Sequence, residues 1–264
     1  MKRWGVVALA LAILSPGVAL AGSIAIPFAP PTDRALTYVI EQHRPIEGRD
    51  SRFTATRDLR FERAGEGYIL HATLRAVDSD APASGAEPFA AALTPLVGVA
   101  LHFRLDPSGR IVALDDMDAV WATVQSGLDN MLAGFAPDTP RHRAARSVQA
   151  LFAGLSSEGR LSLLAGEFQP LFLFATSGVE DGAGRGVRTM AGSPLGRPVP
   201  VAGELRVTAQ TPDALDMTEN LAGEGIGVTL HYRLSRTTGL VESQRRTLTV
   251  GARTLTETRR LTGG

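Results

Sequence analysis

The sequence predicts an α+β fold: a curved antiparallel β-sheet with a central helical insert packed on one face. Three observations carry this. A hairpin pattern occurs twice: Val97-Gly98-Val99-Ala100-Leu101-His102-Phe103-Arg104-Leu105 turns through Asp106-Pro107-Ser108-Gly109 into Arg110-Ile111-Val112, and Ile226-Gly227-Val228-Thr229-Leu230-His231-Tyr232-Arg233-Leu234 turns through residues 235–239 into Leu240-Val241. The elements run strands, then helices, then strands. Between the two hairpins the apolar period changes from two residues to that of a helix.

In chain order, residues 22–31 are apolar and Pro-rich, an extended lead-in. Residues 35–43 alternate, with Leu36, Tyr38 and Ile40 on one face. Residues 49–62 form a long strand in which Phe53, Ala55, Leu59 and Phe61 share a face that Arg57 interrupts. Gly65-Glu66-Gly67 turns it, and residues 68–77 return with Leu70, Leu74 and Ala76 opposite His71, Thr73 and Arg75. Residues 78–86 read as a loop and 87–93 as a helical turn before Pro95. In the first hairpin Pro107 suits the second position of a type I turn, and Gly109 the left-handed position that closes it. Met117, Val120, Trp121, Val124, Leu128, Met131 and Leu132 then make one helical stripe capped by Asp115 or Asp116. A second helix follows over 141–155. A third, capped by Ser156 or Ser157, carries Leu161, Leu163, Leu164 and Phe168 into the apolar run Pro170-Leu171-Phe172-Leu173-Phe174. Strands are predicted near 187–191, 204–210 and 215–221, in the second hairpin, and over 255–261. Their Arg, Glu and Thr imply one solvated face.

Lys2-Arg3, the apolar residues 6–14, Pro16-Gly17 and Ala19-Leu20-Ala21 predict a secretory signal peptide over 1–21 with cleavage after Ala21. The mature chain, 22–264, is then a single α+β domain with its helical insert at about 116–175, free in the periplasm with no stable membrane anchor. Net charge is zero, so no basic field recruits nucleic acid. Lys2 is the only lysine and cysteine is absent, which leaves neither Schiff-base nor thiol chemistry to the mature chain.

Catalytic and metal signals are weak. His71, His102 and His231 each follow a Leu on a predicted strand. Three imidazoles brought together would suit zinc, but their position on the polar face and the neighbouring Arg104 and Arg233 favour solvated residues. Asp115, Asp116 and Asp118 lack the ligand spacing of a calcium loop. Gly182-Ala183-Gly184-Arg185-Gly186 lacks the lysine of a phosphate loop, and no G-x-S-x-G elbow occurs. Glu219 and Glu224 would serve as a carboxylate pair only inside a cleft. Ser193 precedes Pro194 and reads as a turn. No catalytic residue, metal ligand or cofactor is assigned, and a non-catalytic protein is expected. The remaining constellation is apolar. Tyr38, Phe53, Leu101, Phe103, Trp121, Phe172, Phe174 and Tyr232 are the candidate ligand-binding residues, drawn from side chains most of which must also form the core.

A signal peptide, long antiparallel strands, the hairpins at 105–112 and 234–241 and a helical insert midway together resemble a family of bacterial periplasmic proteins similar to the lipoprotein-carrier-like half-barrel superfamily. The strands of 38–77, 97–112 and 203–261 carry the likeness. It implies a half-barrel whose concave face binds acyl chains, although no ligand-binding motif matches residue by residue. The function expected is that of a periplasmic binding or carrier protein for a hydrophobic, lipid-like ligand. The alternative is a non-catalytic envelope scaffold whose strand edges or Arg/Thr-rich sheet face bind another protein.

Overall fold

The computed structural model describes residues 22–175, 178–180, 184–191 and 198–263. The predicted signal peptide, Ser193 and residues 182–183 of the Gly-rich connection lie outside them. The lead-in contributes a two-residue strand, β1 (Ser23–Ile24). The main sheet then starts at its own centre with β2 (Leu36–Ile46) and meanders outward through β3 (Arg49–Ala64), β4 (Gly67–Ser79), β5 (Ala100–Leu105) and β6 (Ile111–Leu114). Helix α1 (Ala83–Leu93) bridges β4 and β5. After β6 the chain crosses the sheet as α2 (Met117–Ala133), α3 (Pro140–Ala153), α4 (Ser157–Ala165) and a 3₁₀ turn (Gln169–Phe172). Strand β7 (Val179–Glu180) pairs with β1. The main sheet resumes at the opposite edge with β8 (Arg185–Ala191) and meanders back through β9 (Val199–Gln210), β10 (Ala214–Gly223), β11 (Ile226–Ser235), β12 (Val241–Val250) and β13 (Arg253–Gly263). There β13 pairs with β2, from Thr256 opposite His43 to Gly263 opposite Leu36. The result is an open, curved sheet of eleven antiparallel strands with helices on one face, as the strand–helix–strand order predicts.

The covered inner face holds two adjacent cores. The first gathers Tyr38, Leu59, Phe61, Leu70, Phe103 and Leu105 from β2–β5 under Phe168, Leu171 and Phe172. The second gathers Val201, Leu205, Leu215, Leu221, Val228, Leu230 and Leu234 from β9–β11 around Phe174. The lead-in is a strap across both: Ile26 enters the second core, and Phe28 packs edge-on against Phe61, Tyr68 and Phe172 of the first. It also touches the turns of both repeated hairpins. Phe28 lies over Gly109, the Ala29 N–H donates to the Thr238 carbonyl, and the Pro27 carbonyl lies against Gly239. Both glycines have positive φ, 86° and 72°, so the left-handed turn position predicted at Gly109 is observed, and Gly239 matches it.

Several local expectations are corrected. The first hairpin strand starts at Ala100 rather than 97, because a 3₁₀ turn (Thr94–Leu96) and the turn at Gly98 precede it. The predicted loop over 78–86 is the end of β4 plus the start of α1. Gly85 lies so close to Ile46 that a Cβ would meet it at 3.2 Å, and this tertiary contact overrides weak helix propensity. Ala76 faces outward, not with Leu74, because Arg57 pairs with Leu74 while Thr56 pairs with Ala76. Arg75 is a bulge that reverses the facing of the strand beyond it. No aspartate side chain caps α2: Asp116 sits at φ 52° without a cap hydrogen bond, and Asp115 instead pairs with Arg104 at 2.6 Å. Ser156 does cap α4, accepting from Gly159 N.

Candidate ligand-binding face of the sheet

Alternation along β3 places Ser51, Phe53, Ala55, Arg57, Leu59 and Phe61 on the inner face. Arg57 is therefore a cation inside an apolar row, its side chain 5% exposed. The turn after α4 lays Glu167 over it, and Arg57 Nη2 meets Glu167 Oε1 at 2.6 Å. The same residue is held by its backbone: the Glu167 carbonyl accepts from Arg259 Nη1 at 2.7 Å and from the Tyr38 hydroxyl at 3.5 Å. Arg259 in turn donates to Glu257 Oε1 at 2.6 Å, and Gln42 Nε2 donates to Glu257 Oε2 at 2.7 Å. Glu167 thus clamps the helical layer onto the centre of the sheet, where β2 meets β13. Burial lowers the Arg57 pKa against the pull of Glu167, and raises that of Glu167 against the pull of Arg57 and Arg259. Burial also raises Tyr38, with Arg259 opposing.

The polar belt continues into the other half of the sheet. Reading across paired positions, one row on the inner face runs Arg185, Leu205, Glu219, Leu230, Arg246, Glu257, Gln42. In the neighbouring row Tyr232 donates to Glu219 Oε2 at 2.8 Å; burial first, and then the nearby carboxylate, push the Tyr232 hydroxyl well above its usual pKa. Among the described residues neither Arg185 nor Arg246 has a carboxylate within 4 Å.

Two hollows flank this belt. One, of about 200 Å³, lies between the first half-sheet and the helices, lined by Leu74, Leu96, Leu101, Val124, Leu164 and Phe168 with Arg57 and Glu167 at its floor. The other, of about 320 Å³, opens on the second half-sheet, walled by Val187, Val201, Leu205, Leu221, Val228 and Leu230, with Phe174 at its inner end and Arg185, Glu219, Tyr232 and Arg246 as its polar groups.

The eight candidate residues divide among these features. Leu101 lines the first hollow, while Phe174 and Tyr232, with ring centroids 5.3 Å apart, line the second. Tyr38 belongs to the clamp. Phe103 packs on Phe168 and Phe172 on Phe28 and Phe61 within the first core. Phe53 lies at the far end of β3, between Phe89 and the guanidinium of Arg44. Trp121 packs in the helical layer against Phe152 and Arg160. His71 and His102 are cross-strand neighbours with ring centroids 4.8 Å apart, and His71 pairs with Glu62. His231 lies on β11, five strands from β4, where it meets Thr218. No metal-binding group of three occurs among the described residues. Glu224 is exposed in the turn before β11, apart from Glu219 in mid-strand.

Sequence reading missed the belt itself. Local pattern alone puts the charges of the last strands on one solvated face, yet Glu219, Arg246, Glu257 and Arg259 point inward. The signal was present as charged residues at positions in register with Leu215, Leu221, Leu230 and Leu248. Pairing had to be known before that register could be read.

These features define an α+β protein with an open curved sheet and a partly covered, partly open concave face. No family model and no curated protein matches the chain. Among solved structures, lipovitellin, described by its lipid–protein interactions, aligns at a TM-score of 0.38 and 9% identity over 88% of this chain and 25% of that one. This chain therefore spans about a quarter of the length of lipovitellin. At that distance the likeness says nothing about ligand or site. No helix among the described residues is long and apolar enough to cross a membrane.

Proposed function

We propose that this is an exported, non-catalytic binding or carrier protein that shelters a hydrophobic ligand on the concave face of its sheet. One observation carries the reading: the second half-sheet presents Val187, Val201, Leu205, Leu221, Val228 and Leu230 to an open hollow of about 320 Å³ that the side chains of the described residues leave unfilled. The wall residues other than Val187 are 2–8% exposed, so a ligand gains chiefly by filling the hollow, at about 25 cal/mol per Å² of the apolar surface that it covers. The volume falls at the small end of ligand sites, roughly 300–1,000 Å³. An unfilled apolar hollow favours this reading over an envelope scaffold, which would need a packed interior and an exposed apolar patch.

The test is mass spectrometry of organic extracts from protein exported to a periplasm and purified without detergent. A stoichiometric apolar molecule that is absent from a folded Val187→Asp variant supports the reading; Val187 is half-buried on an edge strand, so the variant should fold. A stable protein that yields no such molecule, and binds none of a panel of acyl compounds, would overturn it. Recovery of the processed chain from the periplasmic fraction, beginning at Gly22, tests export.

A further inference from the structure

We infer that the ligand of the open hollow is an amphiphile with an anionic head, a carboxylate or a phosphate, seated on Arg246. The inference rests on the binding function proposed above and names the ligand's chemistry. Arg246 occupies an inward position on β12, across from Leu230 and two residue pairs from Tyr232, and is half-buried. Two inward arginines near the sheet centre are committed, Arg57 to Glu167 and Arg259 to Glu257 and the Glu167 carbonyl. Arg246 is not. Its cross-strand neighbour Glu257 is occupied by Arg259 and Gln42, and Glu219 accepts from Tyr232. An apolar hollow thus ends, toward the sheet centre, in a guanidinium that has no carboxylate within 4 Å among the described residues, while its neighbouring carboxylates are engaged. A half-buried cation in low-dielectric surroundings attracts an anion more strongly than it would in water, and its planar fork suits carboxylate and phosphate oxygens.

Arg185 has a separate role. It lies on the edge strand β8, at the other end of the same row and four strand spacings from Arg246, roughly 19 Å away at about 4.8 Å per strand. One small head cannot engage both. Arg185 stands at the mouth and draws the head inward, Arg246 holds it, and the chain lies over Val187, Leu205, Leu221, Val228 and Leu230.

The test titrates the protein, stripped of apolar molecules, with dodecanoate, dodecyl phosphate, dodecan-1-ol and dodecyltrimethylammonium, which share one chain. The expected order is acid or phosphate tightest, alcohol weaker, ammonium weakest. Arg246→Gln should weaken dodecanoate about tenfold or more, the scale of one charge-assisted hydrogen bond, and leave the alcohol unchanged. Arg185→Gln should slow dodecanoate association at low salt with little change in dissociation rate. Both arginines are half-buried surface positions, so folding should survive; circular dichroism and alcohol binding check it. The relative strength of carboxylate and phosphate tells which head is preferred. Equal binding of acid and alcohol, or a dodecanoate affinity indifferent to Arg246→Gln, would overturn the inference and leave the apolar-ligand reading standing; a dodecanoate affinity indifferent to Val187→Asp would count against both. Failure of every probe to bind the unmodified protein would remove that reading and the inference with it.

Discussion

The two halves of the sheet are built from the same hairpin pattern and finished differently. In the first half the strands bear aromatic side chains, Phe61, Tyr68 and Phe103, and the returning chain adds Phe168 and Phe172 above them. Rings fill much of that space and leave a hollow of about 200 Å³ beside Leu101. In the second half the inward residues are mainly Val and Leu, and Phe174 with Tyr232 form its aromatic contact. The helices that cover the first half contribute nothing to the lining of the second beyond the segment that follows them, Leu173 and Phe174. The difference teaches that a repeated strand pattern fixes which face is apolar, whereas its cover decides whether that face becomes core or pocket. The clamp at Glu167 stands on the boundary, where the covered half ends.

The comparison can be broken most forcefully by cutting large side chains. Phe103 is fully buried beneath Phe168, so Phe103→Ala should cost about 4 kcal/mol, because a closed cavity is left behind. Leu230→Ala should cost about 2 kcal/mol, at the low end for its type, since the space it vacates joins a hollow already open to solvent. Urea denaturation of both variants checks this, and equal losses would show that the second half is packed like the first.

Next in size is the clamp. Arg57→Met leaves Glu167 beside the apolar floor without its partner and should cost about 3 kcal/mol by the same measurement. It should also loosen α4, seen as faster amide exchange at 157–168 than in unmodified protein.

The strap sharpens the comparison between the two repeated turns. At Gly239 an added Cβ would lie 1.8 Å from the Pro27 backbone carbonyl, whereas at Gly109 it would meet the Phe28 ring at 2.8 Å. Both residues have positive φ, so each substitution is strained. Gly239→Ala should nevertheless cost more, about 2 kcal/mol against about 1, because backbone yields less readily than a ring. Thermal melts of the two variants would decide.

The smallest expected effect is a pH dependence. Burial raises the folded pKa of Glu167 above its ordinary value of 4.5. A carboxyl raised in this way favours the folded state while protonated; that contribution is complete below the unfolded value and is lost as pH rises through the folded one. Unmodified protein should therefore lose stability relative to Glu167→Gln as pH is raised from 4.5. A relative gain over that interval would mean that the attraction of Arg57 outweighs burial.

Strands and helices were legible because their periods are local. Leu36, Tyr38 and Ile40 alternate, Val120, Trp121 and Val124 recur at helical spacing, and both indicate the inward face without knowledge of any partner. Leu101, Phe174 and Tyr232 can be placed on the inward face on that basis, and they line the two hollows. Phe53 and Trp121 could not be separated from them, because a buried aromatic reads the same in sequence whether a ligand, Phe89 or Arg160 lies against it.

The sequence by itself therefore determined the α+β class, the antiparallel meanders at both ends of the chain, the turn geometry at Gly109 and the apolar character of the sheet's inner face. These follow from side-chain alternation and turn chemistry over a few residues. Only the tertiary structure decided that β2 and β13 meet, that Glu167 arrives over Arg57, and that Arg185, Glu219, Arg246 and Glu257 fall into one row. Those juxtapositions depend on the register between strands far apart in the chain. A shift of one residue would turn every one of those charges to the other face.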